Sequence, residues 1–181
     1  MTQCDRVIVR PAQSHDLVAM GQLSRLKRQA YEAQQPVFWR SAGPEGDRAQ
    51  RTWWDTCLKN PRFAAWVAVS HDQGSMVGFV MAQLIEAPPV YDPGGYTVMV
   101  DDVCVADDAD WESLGGTLCS TAMVWGRQHG AVQMVVVVGA HDGCKRSMLA
   151  QQSLCVASEW WVGGPIWVSR FHSRHGVGFK K

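Results

Sequence analysis

The chain has 181 residues, 46% of them hydrophobic, which is enough for one sizeable core and too little for two ordinary domains. Seventeen basic residues balance seventeen acidic ones, so no overall field draws the protein to nucleic acid or to an anionic membrane. The longest apolar runs are strand-sized, such as 132–138, and no basic-then-apolar leader opens the chain, so a membrane span and secretion are both disfavoured and a cytoplasmic protein is expected.

In chain order, Arg6 to Pro11 alternates polar and apolar residues and ends on a proline, which predicts a short first strand. Ser14 or Asp16 can cap a following helix, in which Leu17, Met20, Leu23, Leu26 and Ala30 recur at helical spacing to about Gln34, with Arg25, Lys27 and Arg28 on its polar face. A loop over 41–46 leads to a second helix over Asp47 to Lys59, stopped by Asn60-Pro61. Phe63–Val69 and Met76–Ile85 read as a hairpin around a loop containing Gly74. After the proline- and glycine-containing loop 87–95, Tyr96 to Val105 reads as a central strand interrupted by Asp101 and Asp102. Leu114 to His129 forms a helix closed by Gly130, Ala131 to Val138 a strand covered on both faces, and Asp142 to Gln152 a last helix. Trp160 to Phe171 is strand-like, and the basic residues 172–181 form a loose tail. A mixed sheet with helices on both faces, in a single domain over 1–181, is the expected fold.

Six cysteines are scattered without a C-x-x-C pair and are expected to be reduced; Cys104 and Cys144 lack a paired histidine and read as inert thiols. The six histidines show no ligand spacing, so no metal is expected. The segment Ser113-Leu114-Gly115-Gly116-Thr117 stands between a strand and a helix, where backbone N–H groups and the positive helix end can bind phosphate; glycines there also serve tight turns without any ligand. Asp107, Asp108, Asp110 and Glu112 crowd the same loop with negative charge.

Val7-Ile8-Val9-Arg10-Pro11-Ala12 resembles the first strand of the GNAT acetyltransferase superfamily, and Val100-Asp101-Asp102-Val103-Cys104-Val105 resembles its fourth. That likeness implies a mostly antiparallel α/β sheet with a splayed central strand pair and acetyl-CoA as co-substrate. The family loop R/Q-x-x-G-x-G/A falls on Asp110, Ser113 and Gly115, of which only Gly115 keeps the pattern. The resemblance implies that main-chain groups of Val103, Cys104 and Val105 meet the pantetheine arm, and that a carboxylate, Asp101 or Asp102, takes the proton of the attacking amine, with Asp101 the nearer match. Ala150 falls where the family often has a tyrosine acid, leaving water, Ser147, Tyr91 or Tyr96 as substitutes; Lys145 and Arg146 are expected either to reach the 3′-phosphate or to form a solvated face.

Trp39, Trp53 and Trp54 fall in the region that would shape an acceptor pocket, and core packing is the competing reading. The function expected is acetyl transfer to a small-molecule or peptide amine by direct attack; the alternative is a non-catalytic acyl-CoA-binding or protein-interaction module. Pairing of the tail Trp160 to Phe171 across subunits predicts a homodimer.

Overall fold

A computed structural model describes residues 7–163. Its strands are β1 (Val7–Pro11), β2 (Phe63–Ser70), β3 (Met76–Ile85), β4 (Tyr96–Val105) and β5 (Ala131–Val136), and its helices are α1 (Leu17–Gln34), α2 (Gly43–Cys57), α3 (Gly116–Gln128) and α4 (Gly143–Gln151). The strands lie in the order β1-β2-β3-β4-β5, antiparallel except for the parallel pair β4 and β5, which α3 connects. A parallel pair needs such a crossover, because a tight turn cannot return the chain to the same end of the sheet.

Two apolar layers sandwich the sheet. On one face Leu17, Met20, Trp54 and Cys57 of α1 and α2 pack on Val67, Phe79, Met81 and Cys104. On the other, Leu118, Cys119 and Ala122 of α3 and Met148 and Leu149 of α4 pack on Val80, Ala82, Val98, Val100 and Val103. Strand alternation produces this division, since neighbouring residues of β3 point to opposite layers. Near its start the chain is tied by Arg10, whose guanidinium donates to both oxygens of the buried Asp16 at 2.7 and 2.8 Å and holds that carboxylate below its usual range.

Three expectations about elements need correction. The second helix begins at Gly43, not at Asp47, because Pro44 fits the first helical turn, where its missing N–H costs no bond. β5 ends at Val136 and is not covered on both faces: Val132 and Val135 are exposed, and among the described residues β5 is the last strand of the sheet. Trp160 to Val162 are exposed and outside any strand, while the rest of the proposed tail strand and residues 172–181 lie outside the described residues. Gly130 closes α3 with φ 84°, as its position predicted. One turn earlier, Gly126 lets the helix touch the sheet; a Cβ there would stand 2.0 Å from Val98 Cγ2.

Candidate functional site

The chemistry-bearing residues converge where β4 and β5 part. Opposite Ala82 of β3, β4 places two residues, Val100 and Asp101, because Met81 pairs with Asp102 and Gln83 with Met99. Such a bulge re-aims the side chains that follow it. Val98, Val100 and Val103 therefore all face α3, while Cys104 packs on the α1 face and Asp102, paired with Met81 of that same layer, turns with it. The last rung between β4 and β5 is the bond from Val137 N–H to Val100 C=O at 2.9 Å. Beyond it β4 runs on to Val105 with no partner strand on that side among the described residues, so the splay expected from the sequence is present.

Of the three main-chain positions assigned to the splay, Cys104 is different. Ala106 N–H bonds back to Val77 of β3, so alternation sends the groups of Cys104 to β3 as well and leaves Val103 and Val105 facing the gap. The Val103 carbonyl accepts from Lys27 Nζ at 3.4 Å. Burial raises the Cys104 thiol pKa, in keeping with an inert thiol, and Cys144 is exposed. Cys57, Cys104, Cys119, Cys144 and Cys155 are all free, and no cluster of potential metal ligands occurs among the described residues.

Across the gap the wall is built from α1 and α4. Tyr31 Oη donates to Asp142 Oδ2 at 2.7 Å and accepts from Gly139 N–H at 3.1 Å. Asp142 also caps α4 by accepting from Lys145 N–H at 3.2 Å. Burial, then the bond to Asp142, pushes the Tyr31 hydroxyl pKa well up. Lys145 is wholly buried: its Nζ donates to Val137 C=O at 2.7 Å and lies 5.6 Å from the centre of the Trp111 ring. This overturns both expectations for Lys145, since neither a solvated face nor contact with an outlying 3′-phosphate is compatible with that position. Burial, and then Lys27, lower its pKa to about 7. Arg146 is half-buried beside it in sequence, and Ser147 and Ala150 are exposed on α4.

Asp101 is exposed on the bulge and Asp102 half-buried. Burial raises the pKa of Asp102, Lys27 opposes that, and Asp101 adds to it. The signature-like loop is wound into a helical run: a 3-10 turn (Asp108–Asp110), then a π turn (Trp111–Gly115), then α3. π turns concentrate at functional sites, where they displace a side chain from the regular helix face. The acidic residues here are largely spent on local structure. Asp107 accepts from Ala109 N–H, Asp108 from the Trp111 indole N–H and Glu112 from Gln151.

Gly115 serves the packing of Trp111, because a Cβ would meet the buried ring at 2.5 Å. Gly116 lies under Gln152, whose side-chain nitrogen would be 2.4 Å from a Cβ. Ser113, Gly116, Thr117 and Gln152, with Ser120 and Thr121, border an open groove of about 540 Å³ along the start of α3. Leu114 is buried and takes no part in it.

A second hollow, about 530 Å³, lies on the other side of the sheet. It is lined by Ile85, Glu86, Tyr91, Asp92, Thr97, Met99, Gln133 and Val135, and Thr97 and Met99 alternate with the α3-facing Val98 and Val100. Met99 brings it to within a residue of the bulge. Of the tryptophans assigned to a pocket, Trp54 is fully buried core against Phe79, Trp53 is half-exposed beside Phe63, and Trp39 packs on Tyr31 and Phe38.

Reading the sequence missed Tyr31, Lys27 and Asp142 as site residues. Lys27, expected on the polar face of α1, is instead half-buried between the buried Ser24 and Tyr31, while Leu26, expected inward, is exposed; Asp142 stands at an N-cap position that the sequence did offer.

No family model and no curated protein matches this sequence. Solved structures do match in fold. A tetramutant of the BH1408 protein from Bacillus halodurans aligns with a TM-score of 0.73 at 14% identity, over 87% of this chain and 99% of that one. A predicted acetyltransferase with acetyl-CoA from Clostridium acetobutylicum aligns with a TM-score of 0.69 at 10% identity, over 89% and 97% of the chains. The aminoglycoside 6'-N-acetyltransferase AAC(6')-Ih from Acinetobacter baumannii aligns with a TM-score of 0.65 at 9% identity, over 87% and 97%. The fold is therefore that of the GNAT acetyltransferases.

Proposed function

We propose that the protein is an acyl-CoA-dependent N-acyltransferase that moves an acetyl group from acetyl-CoA to an amine by direct attack. The observation that carries this reading is the parting of β4 and β5 in the middle of one sheet, together with a groove on its α3 side and a hollow on its other face. A donor thioester entering from the α3 side and an amine entering from the α1 side would meet at the bulge. The known structures of the same fold include one with acetyl-CoA and one of an aminoglycoside N-acetyltransferase, which supports the donor and the amine class.

In this reading the pyrophosphate of CoA lies along the groove at the start of α3, which Ser113, Gly116, Thr117 and Gln152 border. Main-chain groups of Val103 and Val105 hold the pantetheine arm and the thioester oxygen, already oriented before reaction. Glu86 and Asp92 line the acceptor hollow and favour a cationic amine, although Glu86 shares its charge with Arg62 at 2.9 Å.

The amine must lose a proton to attack. Asp102 suits this better than Asp101, because it faces the α1 side and burial raises its pKa toward the working range of a base. Exchange of Asp102 for Asn is expected to lower kcat/KM about a hundredfold near neutral pH and much less at alkaline pH, where free amine is abundant. Asp101→Asn should leave the pH profile unchanged. Rates against a panel of amines, measured from pH 6 to 10, check both; an unaltered profile in the Asp102 variant removes it from the mechanism.

A second reading has its own observation. Tyr31, Lys27 and Lys145 all put polar atoms onto the walls of the splay, and such a filled gap suits a module that has given up catalysis. Failure to bind acetyl-CoA would favour it.

A further inference from the structure

Taking a charge out of water is costly, so a cation held within a protein surface normally has an anion beside it. Two half-buried cations of this chain follow that rule: Arg10 bonds both oxygens of Asp16, and Arg28 bonds Asp47 and Gln50. Lys27 does not. It is half-buried on α1, and among the described residues it has no ion pair. Arg51 and Arg146 are half-buried without an ion pair too, but neither bonds to the parting strands.

The place of Lys27 gives its missing anion a meaning. Its Nζ lies 3.4 Å from Val103 C=O and 5.6 Å from the centre of the Tyr31 ring. Val103 belongs to the stretch of β4 beyond the last rung, and Tyr31, one turn further along α1, reaches Gly139 N–H in the loop after β5. The ammonium therefore stands over the split on its α1 side, where the amine enters, and not at the α3 groove assigned to the pyrophosphate. Lys145 stands close enough to repel it. Asp102, the base of this reading, precedes Val103 on β4, and Lys27 is the neighbouring charge that acts on it most strongly. Once Asp102 has taken the amine's proton it is neutral, and the charge of Lys27 is no longer offset by it.

We propose that Lys27 is a specificity-determining residue that binds a carboxylate of the acceptor, which makes the acceptor an α-amino acid; this rests on the acyltransferase reading above. One ammonium hydrogen goes to Val103, and two are left for the carboxylate. Such charge-assisted bonds are about twice as strong as neutral ones. The spacing follows from the neighbours: Asp102 meets the amine, and Lys27, beside it, meets a negative group on the adjoining carbon. A polyamine or an aminoglycoside brings only positive charge to the same place, and Lys27 repels it.

The test compares a panel of amino acids with their carboxamides, which keep the amine and the side chain but lose the negative charge. Acetylation is followed by thiol release in the wild type, Lys27→Met and Lys27→Arg, with rates corrected for the fraction of free amine. The wild type should favour the acids at least about tenfold in kcat/KM, chiefly through KM. Lys27→Met should abolish that preference and Lys27→Arg should keep it, with circular dichroism confirming that both fold. A wild type that acetylates carboxamides or simple amines as well as acids overturns the assignment and leaves the acyltransferase reading intact. So does a preference for acids that survives in Lys27→Met, including one accompanied by an equal loss on both substrate series, which would make Lys27 part of the reaction and not of its specificity. Failure of the wild type to bind acetyl-CoA in calorimetry, or to acetylate any amine of the panel, overturns both readings together.

Discussion

Replacing Lys145 by Met is expected to stabilise the protein at pH 6 by on the order of 3 kcal/mol, and the gain should vanish by about pH 10. Lys145 is fully buried, and its pKa in the folded protein is lowered to about 7. Below that value the folded state must hold a desolvated ammonium, whereas the unfolded state holds a solvated one. Between pH 7 and the ordinary lysine range near 10.4 the unfolded chain binds more protons than the folded one, so wild-type stability rises with pH. Methionine has a similar volume and no charge to desolvate, so it removes this dependence. The Val137 carbonyl loses its partner, at a cost of about 1 kcal/mol at every pH, and that cost alone remains at the alkaline end. Denaturant unfolding of both proteins at pH 6, 8 and 10 measures the effect. A stability difference that does not change with pH would show that Lys145 titrates as an exposed lysine.

The second large effect separates two neighbouring glycines. Gly115→Ala is expected to cost about 2–3 kcal/mol, because the new methyl would press on the six-membered ring of Trp111, which is buried and cannot retreat. Gly116→Ala should cost less than about 1 kcal/mol, because its methyl meets only the tip of Gln152, a flexible and exposed side chain. Thermal unfolding of the two variants decides this. Equal losses would mean that the packing of Trp111 does not set the requirement at Gly115. The same geometry makes Gly115 a poor position for testing the CoA groove, since its loss would disturb the fold and the groove together.

Much of the architecture was legible because local pattern and final packing agree. The extent of α1, the hairpin turn at Gly74 and the cap at Gly130 each have a local physical cause, and each is found where it was expected, although Leu26 and Ala30 of α1 are exposed and not part of its inward face. The covering of β5 was not legible, since a valine-rich strand reads the same whether or not another layer lies over it. Nor was the bulge at Val100 and Asp101, which depends on how β4 registers with β3 and decides which carboxylate faces α1.

Lys145 is the clearest case. As one of two adjacent basic residues it reads as solvated, yet it lies three and four residues before Met148 and Leu149 and so shares their inward face. That spacing was available in the sequence; composition outweighed it. Trp111 shows the reverse, because nothing in its surroundings announces a π turn, and the glycines after it look like ligand contacts although one of them serves the ring.

The central claim is that the groove at the start of α3 holds acetyl-CoA, and its most direct test is calorimetric titration of the protein with acetyl-CoA, compared with a Thr117→Glu variant. Thr117 is exposed on the groove and carries little packing, so a carboxylate there should repel the pyrophosphate without unfolding the chain. The account predicts micromolar binding by the wild type, weakened at least tenfold in the variant, or about 1.4 kcal/mol. No heat of binding in the wild type, or equal affinity in both proteins, would contradict it.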